Sequence, residues 1–114
     1  MPYIKDENNR REELRNDSYA DTAGELNFQI FAYVKKCGNN AVCYAQIEDY
    51  ISVFLGRNPN YQRYNDMTGA IIRCYKEINR RLGFKLSGLL EILDSYDKEI
   101  DDYENLKIVE NGDV

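Results

Sequence analysis

Arg73, Lys76 and Arg80 recur at intervals of three and four residues, a spacing that on a helix aligns their side chains on one face. At a rise of about 1.5 Å per residue the three cations span about 11 Å. That length can hold the phosphates of a nucleotide-like molecule or grip an acidic protein surface, and Arg81 adjoins it. Arginine suits either task, because its planar fork binds two oxygens at once. The opposing set is Asp94, Asp97, Asp101 and Asp102, in a run that also contains Glu99 and Glu104. Such carboxylates can occupy a basic site on a partner protein, imitate nucleic-acid phosphates or draw a divalent cation. They spread around a helix rather than converge, and no EF-hand spacing is present, so no metal site is expected. Blander readings stand beside these. Glu77 lies four residues from both Arg73 and Arg81 and can neutralise them, the basic stripe can dock on the acidic run, and either can be a solvated helix face.

Other chemistry is thin. The chain has no histidine, which removes the commonest general base and most nucleophilic triads. No paired carboxylates of catalytic type and no phosphate-binding glycine loop are visible, so the expectation is a protein that is not an enzyme and uses no cofactor. Cys37, Cys43 and Cys74 are odd in number and form no C-x-x-C; without histidine a zinc site would lack its usual ligands. They are read as reduced thiols of a cytoplasmic protein.

The elements that must position these residues are helical. Residues 5–18 are almost wholly polar, with Leu14 the one large apolar residue, and read as an arm or an exposed helix capped near Asp6 or Asn8 with no face to bury. Asp21-Thr22 offers an N-cap to a first amphipathic helix carrying Ala23, Leu26, Ile30, Val34 and Cys37, stopped at Gly38-Asn39-Asn40. A second runs from about Ala41 to Leu55 and ends in Gly56-Arg57-Asn58-Pro59-Asn60. A third, from about Asn65 to Leu82, buries Met67, Ala70, Ile71, Cys74, Ile78 and Leu82 and closes at Gly83; Gly69 within it suggests a close helix crossing. A fourth starts at Ser87 as N-cap and carries Leu89, Leu90, Leu93, Tyr96, Ile100 and Tyr103 on one face. Leu106-Lys107-Ile108-Val109 reads as a short extended piece before a turn at Asn111-Gly112. The expected architecture is all-α: a compact bundle or array of about four amphipathic helices (21–105), a polar N-terminal arm (1–20) and a C-terminal tail (106–114).

Composition bounds the partners. The 114 residues carry a net charge of −5, so general nucleic-acid binding is not expected. The charge is also divided: residues 61–90 hold six cations against two carboxylates, and residues 91–114 hold nine carboxylates against two cations. That dipole can pair within the chain, between copies, or with a charged partner. Ten tyrosines and no tryptophan make the aromatic content amphipathic, suited to half-buried surfaces and interfaces. No apolar run resembles a signal peptide or reaches the about 18 residues of a membrane span, and no membrane association is expected.

The segments Met1-Pro2-Tyr3-Ile4, Gly24-Glu25-Leu26-Asn27-Phe28 and Arg80-Arg81, with the ending from Tyr103 to Val114, together resemble a domain-of-unknown-function family of small bacteriophage and bacterial proteins. The opening Met1-Pro2-Tyr3-Ile4 is similar to that family's start, and Gly24-Glu25-Leu26-Asn27-Phe28 to its G-[DE]-L-N-[YF] segment. Gly69, Glu77 and Arg80-Arg81 fall where the family has a glycine, a glutamate and R-R. The ending Tyr103-Glu104-Asn105-Leu106-Lys107-Ile108-Val109-Glu110-Asn111-Gly112-Asp113-Val114 resembles its Y-E-x-x-K-I-x-E-N-G-D-V close. The chain departs from that pattern between Leu82 and Asp102, where members are shorter, and is expanded around residues 38–60. The resemblance implies phage or prophage origin and action inside the infected bacterial cell; it supplies no catalytic residues.

Together these observations lead to the expectation of a non-enzymatic phage-type binding protein. It would act on a host component such as a defence system, with Asp94, Asp97, Asp101 and Asp102 occupying a basic site on that protein. The alternative is a homo-oligomeric sponge that sequesters a nucleotide-like signal with Arg73, Lys76, Arg80, Arg81 and neighbouring tyrosines. A structural or assembly component that self-associates through its dipole is a third reading.

Overall fold

Thr22 starts the first long helix as its residue type suggests: its Oγ1 accepts from the Glu25 amide at 3.1 Å. The computed structural model describes residues 4–5, 9–38 and 43–112. Among these residues all regular structure is helical, in six segments: α1 (Arg10–Arg15), α2 (Ala23–Cys37), α3 (Cys43–Leu55), α4 (Tyr61–Leu82), α5 (Ser87–Ser95) and α6 (Asp97–Asn111). The fold is therefore all-α. No helix of the described residues is long and apolar enough to cross a membrane.

The helical periodicity places the core where the apolar stripes require. Leu26, Ile30 and Val34 of α2, Ile47 and Ile51 of α3, and Met67, Ile71, Cys74 and Ile78 of α4 are fully buried, joined by Leu86 and Leu89 at α5. Each such aliphatic side chain contributes about 1.5–3 kcal/mol on leaving water. The long α4 forms the spine, against which α2, α3 and α5 lie. Arg63 fastens its first turn to the start of α2, donating from Nη1 to the Asp21 carbonyl at 2.7 Å with its guanidinium 4.4 Å over the Phe54 ring.

Several expectations are corrected. The 5–18 segment does have something to bury: Leu14 is fully enclosed, and α1 docks on α2. Arg10 forks onto Glu25 at 2.7 and 2.9 Å and also donates to the Tyr19 carbonyl at 2.8 Å, so an apolar anchor and an ion pair are among the ties that hold this polar helix. Asp6, Asn8 and the Ala41 start of α3 lie outside the described residues. The spine helix begins at Tyr61 rather than Asn65, because the Asn60 side chain caps it by accepting from the Arg63 amide at 2.8 Å. Ser87 is not an N-cap; it already lies in the first turn of α5.

The expected fourth helix is two. Tyr96 breaks it, its amide turning back to the Leu93 carbonyl at 3.0 Å while Ser95 Oγ donates to the Ile92 carbonyl. Residues 106–109 are helical, not extended, and α6 runs to Gly112, whose amide donates to the Ile108 carbonyl at 2.8 Å. Gly69 is exposed with open space around it, so it marks no close crossing; that role belongs to Gly88, where a methyl group would overlap the Tyr44 ring. Cys37 and Cys43, expected as free thiols, are joined in a disulfide between the last residue of α2 and the first of α3, Cα–Cα 6.4 Å.

Candidate functional site

The basic face is assembled by the C-terminal half of α4, as the i, i+3, i+7 spacing requires. Arg73, Lys76 and Arg80 line a shallow recess of about 300 Å³ together with Glu77. Arg73 and Lys76 are exposed. Glu77, largely buried, forms an ion pair with Arg80. Arg81 does not join this group. Turned about 100° around the helix from Arg80, it lays its guanidinium 4.7 Å over the Phe31 ring on α2. The recess thus gathers three cations around one carboxylate, and its lining among the described residues includes no tyrosine.

The acidic set straddles the break at Tyr96. Asp94 is in the last turn of α5; Asp97 and Asp101 follow one turn apart on one side of α6, and Asp102 is turned about 100° further. All four are exposed, and Asp102 accepts from Lys98 at 2.9 Å. The ion pairs of α6 among the described residues are Lys98–Asp102 and Lys107–Glu110, both within the helix. The acidic helix meets α4 at Tyr61 and Tyr64, about 18 Å along the axis from Lys76. The basic and acidic faces are therefore carried separately.

The attachment of α6 rests on tyrosines whose roles spacing could not reveal. Tyr103 accepts from the Tyr61 amide at 3.1 Å, and its ring meets that of Tyr64 at 5.4 Å. Tyr64 donates to Glu99 at 2.9 Å; burial, reinforced by that carboxylate, pushes its phenol up to about 12. Past Tyr103 the helix leaves the body: none of its 15 residues is buried, and Leu106, Ile108 and Val109 are exposed, Val109 by 82%.

Cys74, the free thiol of the core, is fully buried, and burial pushes it up to about 12, which withholds the thiolate. No group of three or more metal-ligating side chains occurs among the described residues. Comparison of the chain with protein-family models, with curated proteins and with solved structures finds no match.

Proposed function

We propose that the chain is a non-enzymatic binding protein of phage type that acts on a host protein, and that its acidic C-terminal helix is the docking element. The observation that carries this reading is the state of α6. This 15-residue helix is held by the half-buried Ile100 and Tyr103 alone among its apolar residues, with none fully buried, and its half beyond Tyr103 gains little from the fold, because helical stability in water comes mostly from packing an apolar face. Its outer half instead offers Leu106, Ile108 and Val109 to solvent among carboxylates. Exposed apolar residues flanked by Glu104 and Glu110, with Lys107 already paired to Glu110, suit a partner with an apolar groove bordered by Lys and Arg. The resemblance of the chain's ending to a phage family supports a host target, and a defence system is the class proposed.

The test is paired. Phage infection of a defence-bearing host is scored with the wild-type chain expressed and with Asp94, Asp97, Asp101 and Asp102 all changed to lysine. The wild type should restore plaquing and the reversed variant should not, and the co-purifying host protein should be lost with it. Equal rescue and equal capture by the variant would refute the acidic surface as the docking element.

A second reading rests on the recess of Arg73, Lys76 and Arg80 as an anion site, the core of a nucleotide sponge. The central Glu77 and the missing tyrosines give it less support. It requires that Arg73→Ala with Arg80→Ala abolish nucleotide uptake by a protein that stays folded.

A further inference from the structure

A recess of about 580 Å³, larger than the one on α4, opens between α1, α2 and α3. Small-molecule sites typically occupy about 300–1,000 Å³. Its wall on α2 comprises Gln29, Ala32, Tyr33, Lys35 and Lys36, four of them at the i, i+3, i+4, i+7 spacing of one helix face.

Gln29 is 2% exposed. Its Nε2 donates to the Leu14 carbonyl at 3.0 Å and the Ser18 carbonyl at 2.7 Å, which fixes the amide's orientation. Its Oε1 is buried and has no partner among the described residues. An unmet buried acceptor costs about 1–3 kcal/mol, and Gln29 lines the recess, so a donor that enters there and reaches this oxygen is stabilised. In the same lining the Tyr33 and Tyr50 rings meet edge to face at 5.8 Å, and Tyr50 is held by donating to Asp17 at 2.5 Å. Tyr33 is half-buried in that lining, and an aromatic ring is a group on which a base can stack.

The lining carries two carboxylates, and both are engaged. Asp17 accepts from Tyr50, and Glu12 faces Arg15 at 3.7 Å and Asn16 at 3.3 Å. Lys35 and Lys36 are exposed at the last turn of α2 and make no ion pair among the described residues. The groups this lining offers a ligand thus include one buried acceptor, one aromatic ring and two cations. Gln29 and Lys36 stand about 10 Å apart along the helix axis, comparable to an extended nucleoside monophosphate.

We propose that this recess binds a small aromatic anion of the nucleoside-monophosphate class. A base N–H donates to Gln29 Oε1, the base stacks on Tyr33, and the phosphate pairs with Lys35 and Lys36. The site is independent of the acidic helix and distinct from the Arg73 recess.

The full chain, isotopically labelled, is titrated in separate NMR experiments with each of the four nucleoside monophosphates, the free nucleosides and inorganic phosphate. The expected result is saturable binding of at least one monophosphate below about 1 mM, at least about tenfold tighter than its nucleoside or phosphate alone, with movement of the Gln29 side-chain amide signals. Lys35→Ala with Lys36→Ala, and separately Tyr33→Ala, should weaken that binding by about tenfold or more. Circular dichroism should show both variants folded. No saturation by any of the four at about 5 mM would overturn the proposal, as would phosphate binding as tightly as the nucleotide. Shifts centred on Arg73 and Lys76, or affinity unchanged in the folded variants, would overturn it as well.

Discussion

Asn27 sits in the α2 stripe between Leu26 and Phe28, 1% exposed, and neither its Oδ1 nor its Nδ2 has a partner among the described residues. An amide left unmet in a core costs about 1–3 kcal/mol, so Asn27→Leu should raise unfolding free energy by about that amount in urea titrations. A loss instead would mean that a buried water satisfies the amide. Glu25 makes the opposite case, a charged side chain that is fully used. Hydrogen bonding to Arg10 is the main cause holding its carboxyl below the usual range, burial opposes it, and the Asp21 amide adds a second bond. A depressed folded value means that this stabilisation is complete above the ordinary carboxylate pKa of the unfolded chain. It is lost as pH falls through the lower folded value. Glu25→Gln should therefore cost about 1–3 kcal/mol near neutrality, and the gap from wild type should close with acidification; a pH-independent gap would contradict this. Thr22 was legible as a cap because Asp21-Thr22 directly precedes the apolar progression of Ala23, Leu26, Ile30 and Val34. Asn60 was not, because it follows Gly56 and Pro59 in what reads as one long stop.

Among the elements, α4 carries a removable cost. Gly69 lies in the middle of that helix with nothing within 4 Å of an added methyl group. Gly69→Ala should thus stabilise the protein by about 0.5–1 kcal/mol, measured as a higher unfolding midpoint. Gly88→Ala is the contrast: it must displace the Tyr44 ring from α5, so it should gain nothing and should alter the tyrosine near-ultraviolet signal. Local pattern could not separate these two glycines. Both occur in helical sequence, and only the crossing of α3 over α5 tells which one has a neighbour. The break at Tyr96 was hidden for a similar reason. Leu93, Tyr96, Ile100 and Tyr103 keep helical spacing straight through it, while Ser95 competes for a backbone carbonyl.

At the scale of the whole molecule, α2 and α3 are closed by the Cys37–Cys43 disulfide across five intervening residues. A loop of this size limits the unfolded chain by about 2 kcal/mol. Cys37→Ser with Cys43→Ser, or reduction of the wild type, should lower stability by about that amount while leaving helix content unchanged; equal stability of reduced and oxidised protein would refute it. Spacing alone favoured reduced thiols, since pairing depends on the return of α3 against α2, a non-local event. Much else was set by the sequence alone. The all-α class, the caps at Thr22 and Gly83, the stripes of α2 to α4, and the alignment of Arg73, Lys76 and Arg80 follow from the 3.6-residue repeat and from short-range backbone chemistry. Tertiary structure decided what one helix does to another. It buried Leu14, sent Arg81 to Phe31, kept the acidic helix off the basic face, and left the Gln29 acceptor unmet in a residue that shares a recess with two tyrosines. Helical periodicity tells which side chains share a face; only the packing of faces against one another determines which of them still have work to do.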